Sequence, residues 1–227
     1  GKNIKDFRGV DIDYLQEKIK LFNPNHSEKF DFPKPHGGGT AYMNTIDKDG
    51  LGVSLIQSNF HGIGSRIGVG SFGFFLHNRG CGFNLDSKHP NYLTPGRKPL
   101  HTLSPTIWSK NGNLEFIAGT RGGRYQPQLL IQTILPYIQK LDSFEEIIKE
   151  PRWVIENFSS ETISKLRFEK INNEDLEILL KKGHDVEAEN KLNKGYGPIS
   201  IIYKKDDGNF EGVCDVRVGT EKVFNSF

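Results

Sequence analysis

The stretch His36-Gly37-Gly38-Gly39-Thr40-Ala41-Tyr42-Met43-Asn44-Thr45-Ile46-Asp47-Lys48-Asp49-Gly50 decides how the rest of the chain reads. Three glycines run into Thr40, which opens a strand-like segment ending at Ile46. Asp47-Lys48-Asp49-Gly50 is a turn signal, because Asp-Gly suits the left-handed backbone of a tight hairpin turn. A second apolar run, Leu51 to Ile56, follows at once. The expectation is a hairpin over Thr40–Ile56 with Thr40 at its head.

A hydroxyl in that position has a chemical use. Threonine is a weak nucleophile and needs an adjacent base. If the chain is cut before Thr40, the freed amine of Thr40 can be that base. Glycine tolerates conformations closed to other residues, so a strained scissile peptide at Gly39-Thr40 is sterically easy. The plain alternative is a flexible glycine loop leading into an ordinary strand.

Upstream, Ile12, Leu15, Ile19 and Phe22 recur at helical spacing, predicting a helix over Val10–Leu21 with Asp11 as N-cap. Asn23-Pro24-Asn25 stops it, and Ser27–Gly39, with Pro33 and Pro35, reads as an exposed linker. Downstream, Asn59–Gly73 is glycine-rich, and Gly68 to Gly73 fits GxGxxG. A dinucleotide site is rejected, because a strand-like Phe74-Phe75-Leu76 follows where a helix is required. A glycine loop approaching a substrate is the better reading.

Gly80–Leu100 is a loop with Pro90, Pro95 and Pro99. Thr106–Ser109 and Leu114–Ala118 read as strands about a Lys110–Asn113 turn. Gln126–Leu141 reads as a helix kinked by Pro136. Ser143 opens a short helix to Lys149 with a Ser143–Glu146 capping box. Asn173–Gly183 is a further helix with Gly183 as C-cap. Ile199–Tyr203 and Phe210–Asp215 form a last hairpin. Strands, then helices, then strands suit a layered α+β fold.

The chain has 227 residues, enough for a sizeable core. Its 30 Lys plus Arg against 28 Asp plus Glu give a net charge of +2, too balanced to argue for nucleic acid or an anionic membrane. Two cysteines, Cys81 and Cys214, read as free thiols of a reducing compartment, and no Cys/His cluster has zinc spacing. No apolar run is long enough to span a bilayer. The start lacks a signal-peptide core, which favours the cytoplasm, although a signal is possible on an upstream part of a longer precursor. Sequons at Asn25 and Asn157 carry weight only on a secretory route.

Thr40, the Asp47–Gly50 turn, Val53-Ser54-Leu55, Phe75-Leu76-His77-Asn78-Arg79, Leu103-Ser104-Pro105-Thr106, Gly119-Thr120-Arg121-Gly122-Gly123 and Asp215-Val216-Arg217 occur in that order. The ordered set resembles the small subunit of the gamma-glutamyltransferases, which are N-terminal-nucleophile hydrolases. Residues 1–39 resemble the tail of that family's large subunit with its cleavage linker, and residues 40–227 the small-subunit domain. The resemblance implies a four-layer αββα sandwich, autoproteolysis at Gly39-Thr40, a large-subunit partner from the same precursor, and neither metal nor organic cofactor.

It also implies roles. Thr40 stands at the nucleophile, and Ser58 where the family has a threonine touching it. Gly122 and Gly123 fall on a glycine pair that resembles an oxyanion hole, whose backbone N–H groups stabilise the carbonyl oxygen during acyl transfer. Asp215 and Arg217 match an Asp-Pro-Arg segment and are read as structural.

Several positions depart from the pattern. Ala41 and Tyr42 replace a threonine and a histidine or glutamine. Arg79 replaces a glutamine, and Gly82 the acidic residue that binds the substrate's amine. Phe60 replaces a carboxylate-binding asparagine, and His101 and Thr102 stand where two serines do the same work. Arg79 can hold a carboxylate bidentately; Arg97, Arg121 and Arg124 are alternatives. Cys81, beside the expected pocket, has no His-plus-orienter pattern and is not taken as a nucleophile.

The implied activity is cleavage of gamma-glutamyl or similar acyl amides, with water or an amine as acceptor. The alternatives are an amidase for a dicarboxylic acyl group lacking the amine, such as glutaryl, or a non-catalytic fragment or assembly subunit.

Overall fold

The computed structural model describes Lys20, residues 39–156 and residues 164–219. The chain divides into two compact units, Gly1–Lys34 and Pro35–Phe227, and the fold below is that of the second. The helix expected over Val10–Leu21 lies, but for Lys20, outside the described residues, as do nearly all of the linker and both sequon asparagines.

Alternation builds the hairpin. β1 (Thr40–Ile46) and β2 (Gly52–Ser58) pair antiparallel without a break, from Thr40 opposite Ser58 to Ile46 opposite Gly52. The Asp47 Oδ1 accepts the N–H groups of Asp49 and Leu51 and so closes the turn, while Gly50 supplies a φ of 85°. Successive side chains point to opposite faces. Thr40, Tyr42, Asn44 and Ile46 go inward; Met43 lies outside, opposite Leu55.

The inner face lies on a four-stranded antiparallel sheet of order β3-β4-β8-β9: β3 (Thr106–Lys110), β4 (Asn113–Thr120), β8 (Ile199–Lys204) and β9 (Phe210–Cys214). The layers meet closely. A Cβ on Gly119 would stand 2.1 Å from the Tyr42 ring, and one on Gly52 would stand 2.5 Å from Ile117 Cδ1. Ile117 thus underlies the turn end of the hairpin and Gly119 the Tyr42 region. β4 therefore runs toward Thr40, and the loop after Thr120 is carried to the Thr40 end.

On the sheet's other face packs α1 (Gln126–Ile138). Phe116, Ala118, Leu129, Ile134, Ile199 and Ile201 form the centre of this core. Burial of each larger apolar side chain stabilises by about 1.5–3 kcal/mol. Tyr137 of α1 stacks on Phe144 of α2 (Phe144–Ile147) with ring centroids 3.8 Å apart. The α1 helix runs through Pro136 and stops at Ile138, short of the expected Leu141: Lys140 turns to a left-handed φ of 57°, and the Leu141 N–H closes back on the Pro136 carbonyl at 3.0 Å. The expected capping box also fails: Ser143 makes no side-chain cap, and Glu146 pairs instead with Lys149 at 2.6 Å.

A third sheet was not anticipated: β5 (Trp153–Glu156) antiparallel to β6 (Lys165–Phe168), which is parallel to β7 (Asp185–Ala188). The parallel pair is joined through α3 (Asn173–Lys181), capped by the Asn172 side chain on the Asp175 N–H and followed by Gly183 at a φ of 83°. Gln128 and Gln132 of α1 accept the Ile155 and Trp153 N–H groups, tying β5 to the helix. Phe74–Leu76, expected as a strand, makes one isolated bridge, Gly68 to Phe75.

Hairpin, sheet and helix form three stacked layers among the described residues, and the fold is α+β as expected. No helix among these residues is long and apolar enough to cross a membrane.

Candidate active site

Thr40 and Ser58 are cross-strand neighbours on the inner face at the open end of the hairpin. Their hydroxyls meet at 2.8 Å. Ser58 Oγ also accepts the Phe60 N–H at 3.0 Å. That contact needs a sharp bend: Phe60 has a φ of 77°, a left-handed conformation unusual for a bulky residue and costly by roughly 1–3 kcal/mol.

The peptide before Thr40 is held as firmly. The Gly39 carbonyl accepts the Asn59 N–H at 3.0 Å, which extends the hairpin register one residue past Thr40. A Cβ on Gly39 would lie 1.8 Å from the Gly62 carbonyl oxygen. The sequence reading gave Gly39 a role in backbone strain. The structure corrects this: its φ is not in the left-handed region, and close approach to Gly62 is what excludes a side chain.

Asn78 ties this turn together. Its Nδ2 donates to the His61 and Gly64 carbonyls, its Oδ1 accepts the His61 N–H, and its own N–H donates to the Asn59 carbonyl. Sequence reasoning listed Asn78 within a motif and gave it no role.

Arg79 follows, in a 3-10 turn of Arg79–Gly82. It is only 8% exposed, yet no carboxylate lies within ion-pair distance among the described residues. Its Nη1 donates to Thr102 Oγ1 at 3.1 Å, and its guanidinium lies over the Phe60 ring at 5.3 Å. Its Nη2 is buried without a hydrogen-bond partner. Burial alone lowers its pKa. Arg79 and Thr102 are thus brought together, whereas His101 is exposed. Arg97 spends its guanidinium on the Pro90 and Tyr92 carbonyls; Arg124 is exposed and Arg121 half-buried. Gly82 faces Leu100, whose Cβ would stand 3.3 Å from an added Cβ.

Gly122 and Gly123 lie in the loop that β4 carries to the Thr40 end. Both have left-handed φ, 131° and 56°, so both positions favour glycine. Their carbonyls accept the Tyr125 and Gln126 N–H groups. Their own N–H groups donate to nothing among the described residues. Cys81 is an exposed free thiol.

Tyr42 occupies the space between layers above Gly119. Its hydroxyl meets Ser54 Oγ at 2.9 Å, and burial raises its pKa against the hydrogen bonds of Ser54 and Asn44. Asp215 and Arg217 sit apart from these groups in a buried ion network. Asp215 pairs with Arg152 at 2.6 Å and with Arg217 at 3.2 Å, and Arg217 also pairs with Glu169.

Comparison with known proteins identifies the family of the chain. The gamma-glutamyltranspeptidase family profile matches residues 8–224. The glutathione hydrolase-like YwrD proenzyme of Bacillus subtilis is 35% identical over 185 residues, 81% of this chain and 35% of that protein. The oxamate amidohydrolase proenzyme of Klebsiella pneumoniae is 33% identical over 223 residues, 95% of this chain and 42% of that protein. This chain therefore spans less than half the length of these relatives. Gamma-glutamyltranspeptidase from Pseudomonas nitroreducens, complexed with L-DON, superposes with a TM-score of 0.68 at 20% identity, over 81% of this chain and 99% of that chain. The chain belongs to the gamma-glutamyltranspeptidase family, enzymes of the N-terminal-nucleophile hydrolase type.

Proposed function

We propose that this chain is the nucleophile-bearing part of a proenzyme that cuts itself at Gly39-Thr40 and then cleaves acyl amides. The observation that carries the reading is Thr40 at the head of β1, hydroxyl to hydroxyl with Ser58. Residues 1–39 are then the tail of the large-subunit region, and residues 40–227 the small subunit. After the cut, Thr40 Oγ1 attacks the amide carbonyl, and its α-amine takes the proton. The Gly122 and Gly123 N–H groups, which have no acceptor among the described residues, receive the oxyanion. Water, or an amine, then releases the acyl group.

The acyl group carries a carboxylate, and Arg79 with Thr102 receives it. A buried guanidinium with one nitrogen unpartnered is a ready acceptor of an anion. Gamma-glutamyl and glutaryl amides both supply that carboxylate. Gly82 offers no acid for an α-amine, which favours the amine-free donor. The oxamate named for one relative is likewise an amide with a carboxylate and no α-amine.

The rest of the precursor is the partner. The outer face of the hairpin presents Met43, Val53 and Leu55, each about half exposed, and the relatives are more than twice as long as this chain. This face supports docking of the large subunit.

The test is the mass of the full-length precursor. The parent resolves into two pieces cut at Gly39-Thr40, and Thr40→Ala stays whole. A Thr40→Ala chain cut at the same bond removes Thr40 as the processing nucleophile.

A further inference from the structure

The geometry points to two separate oxyanion donors in this protein: the Asn59 N–H for self-cleavage, and the Gly122–Gly123 pair for turnover. This rests on the reading that Thr40 cuts the bond before it. In the uncut chain the carbonyl that Thr40 must attack is that of Gly39. Its oxygen is already committed to the Asn59 N–H at 3.0 Å, across the hairpin. Gly122 and Gly123 belong instead to the loop at the end of β4, in the layer beneath. The two donor sets approach Thr40 from different elements, one from its sheet neighbour and one from the sheet on which the hairpin lies.

The chemistry assigns each its step. In self-cleavage the Thr40 hydroxyl oxygen adds to the Gly39 carbonyl carbon, and the hydroxyl proton ends on the Thr40 nitrogen. While the oxygen of Gly39 carries negative charge, it strengthens the hydrogen bond it already accepts from Asn59. The C–N bond then breaks, leaving a Gly39 ester on Thr40 and a free amine. Water hydrolyses the ester to a Gly39 carboxylate and restores the hydroxyl. After that step the Gly39 carbonyl is no longer tethered across the hairpin, and the substrate carbonyl is met by the Gly122 and Gly123 donors from the layer beneath.

The surroundings keep the Asn59 donor in place. Gly39 is pressed against the Gly62 carbonyl oxygen, so the scissile peptide cannot slide toward the turn. Asn78 is the positioning residue: it fixes the Asn59 carbonyl and clamps His61 and Gly64 through its side chain. Phe60, bent to a φ of 77°, aims its N–H at Ser58 and leaves the Asn59 N–H to Gly39.

The experiment replaces the Asn59 amide by an ester in the full-length precursor, through incorporation of the matching α-hydroxy acid at position 59. This deletes the N–H and keeps the side chain. Cleavage at Gly39-Thr40 is expected to slow about 10²–10³-fold, while kcat of the chains once cut stays within about threefold of the parent. Asn59→Ala, which keeps the N–H, is expected to cleave at the parent rate. An ester precursor that cleaves as fast as the parent, or an Asn59→Ala precursor as slow as the ester, overturns the assignment. A Thr40→Ala precursor that is still cut would overturn the parent reading instead. If the ester chain does not fold, amide exchange decides. The Asn59 N–H should be protected in the intact Thr40→Ala precursor and exchange faster in the cut enzyme; equal rates in the two states overturn the inference.

Discussion

Two buried arginine sites in this domain have opposite bookkeeping. Arg152 and Arg217, 3% and 4% exposed, share two buried carboxylates, Asp215 and Glu169, and the backbone carbonyls of Ile148, Glu150, Tyr196 and Gly197. Burial works against the charged form of both. At Arg217 the carboxylates overcome it and raise the pKa; at Arg152 burial prevails over Asp215. Arg79 is 8% exposed and has one hydroxyl, one aromatic face and an unpartnered Nη2. A buried charge is costly unless it is paired. The first site satisfies its charges internally and holds β9 and the β5–β6 sheet together. The second leaves the compensation to something that binds.

The comparison is broken most severely at the satisfied site. Glu169→Gln removes a carboxylate that accepts from Arg217, from the Arg152 N–H and from the Asn193 N–H. Loss of one partner of a buried pair costs roughly 3–5 kcal/mol, to be read from the denaturant midpoint of the cut enzyme. An unchanged midpoint would show that the network is not what stabilises this end of the fold.

Gly123→Val gives the scale for losing catalytic machinery without touching either arginine. A branched residue is strained at a φ of 56°, and loss of one oxyanion donor costs about 2.7–4 kcal/mol in kcat. A folded variant with normal kcat would remove Gly123 from the mechanism.

Arg79→Met sharpens the contrast. The midpoint should move by no more than about 1 kcal/mol, since loss of the Thr102 bond and the Phe60 ring contact is offset by removal of an unpaired buried charge, while kcat/KM for a carboxylate-bearing donor falls by about 1.5–3 kcal/mol. A large loss of stability with unchanged kcat/KM would place Arg79 with Arg152 and Arg217. The smallest effect is expected from Gly82→Asp, which supplies the missing acid. It should shift the ratio of kcat/KM toward gamma-glutamyl over glutaryl amide by about tenfold, or 1.4 kcal/mol. Leu100, 3.3 Å from the new Cβ, must yield slightly, and no shift in the ratio would mean the amine is met elsewhere.

Much of this was legible beforehand, for local reasons. The hairpin follows from alternation and an Asp-Gly turn, and β8–β9 from two apolar runs about Asp206-Asp207-Gly208. The β5–β7 sheet was not legible. Its strands are four residues each, and Lys165-Leu-Arg-Phe carries as much charge as apolar surface, so neither length nor period marks it. In the site, Thr40 and Ser58 were named separately, and their 2.8 Å contact depends on register that only pairing fixes. Arg79 and Thr102 were both candidates, but the bond between residues so far apart in sequence carries no local signal. Phe60 was read as a lost asparagine, whereas its backbone and ring do the work. Asn78 gave no signal, because four hydrogen bonds to one turn are visible only once the turn exists.

The seating of the Tyr42 ring on Gly119 also constrains how this chain can change over generations. With 2.1 Å between the ring and any new Cβ, the two positions behave as a single locus. A lineage that enlarges residue 119 must first shrink residue 42, and one that shrinks residue 42 opens a void that a larger residue 119 can refill. A saturation library at both sites should therefore return functional pairs along an anticorrelated line of side-chain volume, with few survivors off it.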